Sequence, residues 1–85
     1  MKTTKEILEE GHKVKDLIMN EYWFLLYEET ASVLLSIAFG KLSGALLYYD
    51  NSQSMLNFIE NQIQYLNEAI QKAEDRKKEE DLQSV

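Results

Sequence analysis

The residues able to do chemistry are few and stand apart. Glu9 and His12 have the Glu-x-x-His spacing of carboxylate-bridged di-metal bundles. Such a site needs further carboxylates facing inward, yet both residues fall off the apolar stripe of their segment. A solvated histidine is expected there, and no metal. Ser32, Ser36 and Ser43 would need a base to act as nucleophiles, and the sole histidine is far from them in sequence. They are read as bonding back to the helix backbone. Glu28 and Glu29 adjoin an aromatic run, where burial would raise a carboxyl pKa. Adjacent residues on a helix point in different directions, so they make no acid–base pair. Gly40 and Gly44 fall within a helical segment instead of following a strand, which is not the placement of a phosphate-binding loop. No enzymatic activity and no cofactor are expected.

Lys41 has a better claim. It is the one cation on a nearly uncharged segment, with Tyr48 one row along and Ile37 beside it. A cation next to aromatic rings at a subunit seam can hold a small anion or a nucleotide, the charge met by Lys and the base stacked on Tyr. Lys41, Tyr48 and Tyr49, with Tyr27 or Trp23, would line such a pocket. The plainer reading is that Lys41 snorkels to water along its apolar neighbours. Gln62, on an otherwise apolar face, is read as a hydrogen-bonded core group.

These residues must be positioned by helices. The chain has no proline and three glycines, so nothing forces frequent breaks. A first helix is expected over Thr3–Glu28, opened by a Thr3/Glu6 capping box. Ile7, Leu8, Val14, Ile18, Tyr22, Leu25 and Leu26 form its apolar stripe. Gly11 lies within the stripe at a cost of roughly 1 kcal/mol relative to Ala, which points to close approach by a neighbouring helix.

A second helix is expected over Thr30–Tyr49, with a Thr30 cap. Leu34, Leu35, Ala38, Phe39, Leu42, Ala45, Leu46 and Tyr49 form one bulky face. Ser32, Ser36, Gly40, Ser43 and Gly44 form a smooth opposite strip, flanked by Val33 and Leu47. After a turn over Asp50–Ser54, a third helix is expected over Gln53–Lys78. It starts from Asp50 with Gln53, or from Ser52, and its stripe is Met55, Ile59, Ile63, Leu66, Ile70 and Ala73. The fold expected is all-α: a small three-helix bundle, a long helical hairpin plus an N-terminal helix. Residues 1–78 make one domain, and the charged tail 79–85 is expected to fray.

The first and third helices each have one apolar face, enough to cover the bulky side of the second but not its strip. Small residues at four-residue spacing let two backbones approach. A second copy of the chain is therefore expected to pack there, making a homo-oligomer through the second helix. The alternative is that the strip accommodates the first or third helix. Trp23, Phe24 and Tyr27 project away from the stripe that holds Leu25 and are further interface candidates, unless they cover the second helix through a bent connection.

Composition bounds the function. Eighty-five residues with 45% apolar content make one small ordered domain, and without cysteine no disulfide supplements its core. A net charge of −6 and a pI near 4.7 argue against nucleic acid, since Arg76, Lys77 and Lys78 are surrounded by acids. Ala31–Tyr49 has the length of a membrane span, but a central Lys41 and interspersed Ser and Gly disfavour insertion. The opening residues are not a basic segment followed by an apolar run, so no leader peptide is expected and the location is taken as cytoplasmic. The expected function is that of a small acidic interaction protein, a homo-oligomeric adaptor or inhibitor of a protein partner. Its size and composition are of the phage or mobile-element accessory type. The main alternative is an oligomer that sequesters a small charged ligand, such as a nucleotide signal, between subunits. A weaker alternative is a membrane-associated immunity-type protein.

Overall fold

The computed structural model describes residues 2–27 and 32–83. The Glu28–Glu29 pair, the Thr30 cap and the Ser32 side chain lie outside the described residues. The chain is an all-α bundle of three helices, α1 (Thr4–Asn20), α2 (Ser32–Leu47) and α3 (Gln53–Gln83), with a 3-10 turn at Trp23–Tyr27 between α1 and α2. Each helix packs against the other two, and the turn packs against α1 and α2.

The capping box that opens α1 is present in both directions. The Glu6 amide donates to Thr3 Oγ1 and the Thr3 amide donates to Glu6 Oε1, each at 3.2 Å. Two of the first turn's orphan donors are satisfied in this way. The helix does not reach Glu28 as expected; it ends at Asn20. Glu21 caps it, and the Tyr22 amide reaches back to the carbonyls of Leu17 and Ile18. The aromatic residues that follow have poor helix propensity, and two contacts hold the non-helical path. Leu25 is buried, and the Tyr22 hydroxyl donates to Glu74 Oε1 on α3 at 2.8 Å.

Ser52 caps α3, its hydroxyl accepting from the Met55 amide at 3.1 Å. Asp50 Oδ1 accepts from the Ser52 amide at 3.0 Å, and Asn51 between them takes a φ of 65°, a left-handed turn that Asn tolerates. Both the hydroxyl and the amide of Ser52 favour the ionised carboxylate, so the Asp50 pKa lies below its ordinary value. At its other end α3 runs five residues past the expected Lys78, to Gln83. Glu74/Lys78, Arg76/Glu80 and Lys77/Asp81 place opposite charges four residues apart, which supports an exposed helix without tertiary packing. At 1.5 Å per residue, the 31 residues of α3 span about 46 Å and the 16 of α2 about 24 Å. The end of α3 therefore overhangs its neighbours, and the molecule is 50 Å in its longest dimension.

The core is drawn from all three helices: Ile7, Val14 and Ile18 of α1; Leu35, Ala38, Leu42 and Ala45 of α2; Leu56, Ile59, Ile63, Leu66 and Ile70 of α3. Leu42 and Ile59 are fully enclosed. At Gly11 a Cβ would sit 3.0 Å from Leu46 Cδ2, so this glycine does admit α2 closely, as its place in the stripe implies. Two inward assignments need correction. Leu34, placed on the bulky face, is 63% exposed, and Leu56, outside the expected stripe of α3, is buried. The helix that holds Leu34 is apolar on nearly every side, so its sequence pattern does not set its rotation.

Truncating Ile59 to alanine should remove about 2–5 kcal/mol of unfolding free energy in a urea titration, because the site is enclosed on all sides. The Tyr22–Glu74 contact makes a separate, pH-dependent prediction. The hydrogen bond to Glu74, reinforced by some desolvation and by the carboxylate charge, raises the phenol pKa above its ordinary value. A raised folded-state pKa means that the contact stabilises fully at pH below the ordinary phenol value and is lost as pH rises through the raised one. Ultraviolet titration should show Tyr22 moving back toward the ordinary value in Glu74→Gln. An unchanged titration would remove the carboxylate as its cause.

Candidate interaction surface

The register of α2 is set by its buried residues, Leu35, Ala38, Leu42 and Ala45, which follow each other at spacings of three, four and three. What points away is a continuous row: Val33, Ile37, Gly40, Gly44 and Leu47, at spacings of four, three, four and three. That spacing defines one helix face, and here every member is apolar or glycine, as at a helix–helix contact. Leu34, Lys41 and Tyr48 run beside it, one every seven residues. Leu47 and Tyr48 are 74% and 75% exposed, and Val33, Leu34 and Ile37 are also open to solvent. At Gly40 and Gly44 an added Cβ would meet nothing within 4 Å. Among the described residues, no neighbour therefore requires a glycine at either position.

The small-residue strip expected from the sequence divides in the structure. Gly40 and Gly44 belong to the open face. Ser36 is tied to its own chain instead, its hydroxyl donating to the Leu26 carbonyl at 3.1 Å and fastening the 3-10 turn to α2. Ser43 turns toward α1, where it lines a shallow groove with His12, Lys15, Gly44, Leu46 and Leu47. Its buried hydroxyl makes no hydrogen bond. Sequence pattern missed Leu34 as a member of the outward face, whereas Ile37 and Tyr48, expected beside Lys41 at a seam, do lie on it. The usable signal was the alternating row through Gly40 and Gly44, which only becomes a seam once the rotation of α2 is known.

The aromatic run splits as well. The Trp23 and Tyr27 rings meet edge-on with centroids 5.2 Å apart, and both are exposed. Phe24 tilts against Tyr22 at 6.1 Å, and the two face α3 across a groove lined also by Ala73, Glu74, Arg76 and Lys77. The three interface candidates are thus exposed but do not share one direction.

Lys41 and Tyr48 lie on the open face of α2, about 10 Å apart along the axis. Tyr49, beyond the end of α2, is half-buried and packs against the core. The three residues do not enclose a ligand within one chain. A pocket using Lys41 and Tyr48 would need a second chain to close it. Glu9 and His12 are exposed on α1, and among the described residues no three His, Cys, Asp or Glu side chains gather into a metal-sized group. Among the described residues no helix is long and apolar enough to cross a membrane. No protein-family model, curated protein or solved structure matches the chain.

Proposed function

We propose that this chain is a non-enzymatic interaction protein, a homo-oligomeric adaptor or inhibitor that works by occupying a protein partner's surface. The observation that carries the reading is the outward face of α2. Val33, Leu34, Ile37 and Leu47 of α2, with Tyr48 just past its end, are all large, apolar and substantially exposed. Exposed apolar side chains toward both ends of one helix, with glycines between them, mark an association surface. A helix apolar on nearly all sides belongs in an interior, and a second protein chain supplies the missing side. The acidic residues lie on α1, α3 and the segments that join the helices, and a net charge of −6 suits the molecule as a whole to approach a basic partner.

The sequestering alternative has one observation in its favour. Lys41 and Tyr48 share the face that assembly would cover, so subunit pairing would bring a cation and a ring toward a common seam. The two readings differ at one residue: Lys41→Ala abolishes capture of a small anion and leaves a protein-blocking activity nearly intact.

Ile37→Glu tests the proposal. It places a carboxylate in the centre of the covered face, and an uncompensated buried charge costs about 3 kcal/mol or more, roughly a hundredfold in Kd. The expected result in sedimentation velocity is an assembled wild type and a monomeric variant with unchanged far-ultraviolet dichroism. A variant that assembles as well as the wild type would contradict the assignment of this face.

A further inference from the structure

Resting on that reading, we infer that the occupant of the outward face is the α2 helix of a second copy, crossing at Gly40 and Gly44 with the two backbones in contact. Charge selects the occupant. All fifteen acidic residues of the chain lie outside α2, whose only charged residue is Lys41. A second copy covers this face with a surface that holds no carboxylate and a single Lys41, while the acidic residues of both copies stay outside the seam. A basic foreign surface would find no carboxylate there to pair with.

The area is also suitable. Five large apolar side chains, each about half to three-quarters exposed, offer on the order of 600 Å² per copy. A stable complex typically covers about 800 Å² on each partner. The row has the four–three alternation of a packed helix pair, so its natural complement is a helix of the same period.

The glycines supply the geometry. Both sit inside α2, where glycine is less favourable than alanine. Gly11 is explained within the chain by Leu46 at 3.0 Å, whereas Gly40 and Gly44 have open space. A backbone approaching from outside is what their missing side chains permit. Val33 and Ile37 on one side of the crossing, and Leu47 and Tyr48 on the other, then close over the partner helix.

Alanine substitution separates the two roles of these positions. In Gly40→Ala/Gly44→Ala the added methyl groups improve the helix but hold the partner away. Sedimentation equilibrium should show dimer dissociation weakened at least tenfold. The same substitutions in the Ile37→Glu background, followed by circular dichroism, should raise the thermal midpoint by about 4–8 °C per glycine. Opposite signs on folding and on association are the expected result. Should the Ile37→Glu background fold poorly, Gly40→Leu serves instead, since open space accepts leucine in the protomer: helicity is kept and the dimer is lost. A double-alanine dimer as tight as the wild type overturns the crossing point and leaves the assembly reading intact. A wild type that stays monomeric at high micromolar concentration overturns both.

Discussion

Two helices can cover only part of the circumference of a third. In this chain α1 and α3 each have one apolar face, and both faces are used on the side of α2 that carries Leu35, Ala38, Leu42 and Ala45. The remaining side of α2 is apolar except for Ser36 and Lys41, and among the described residues an added Cβ at Gly40 or Gly44 would meet nothing within 4 Å. The rest of the structure follows from that imbalance. The inner contacts settle the rotation of α2, and the rotation decides which residues are left outside. The functional proposal is an account of what covers them.

A chain of this size leaves little margin. It has no disulfide, and its enclosed core is built around a few large side chains, Leu42, Ile59 and Leu66. Small domains stabilise themselves by cross-links, metals or association. Leaving five large side chains of one helix in water adds nothing to folding and invites non-specific aggregation. Covering them in a defined pair would add apolar burial where the protomer has least. With every acidic residue off α2, a second copy would meet no carboxylate there, while a net charge of −6 resists association elsewhere.

Much of the fold was legible in the sequence, and the reasons are local. Thr3 and Glu6 announce the start of α1 because a capping box has a fixed spacing. Ile59, Ile63, Leu66 and Ile70 announce α3 because polar residues separate them at helical intervals. Gly11 was legible as a contact because it interrupts a stripe. Legibility failed where the signal depends on tertiary structure. The end of α1 at Asn20 is decided by Leu25 entering the core and Tyr22 reaching Glu74, fifty-two residues away. Leu34 was misassigned because α2 has no polar side to set its rotation. The length of α3 was underestimated because its last turns rest on charge pairs rather than on an apolar stripe. Of the candidate surface, the glycines and the Ile37, Lys41 and Tyr48 group were readable, but Leu34 joined it only after the inner face was known. Ser36, by contrast, proved to hold the 3-10 turn in place.

The most direct test of a second copy on α2 is an isotope-filtered nuclear Overhauser experiment on a mixture of labelled and unlabelled protein, which reports contacts between chains alone. Inter-chain contacts are expected from the methyl groups of Val33, Ile37 and Leu47 and from the Tyr48 ring, with Gly40 Hα among them. Inter-chain contacts arising only elsewhere, from Met19 or Trp23 for example, or none at concentrations where the protein is fully folded, would contradict it.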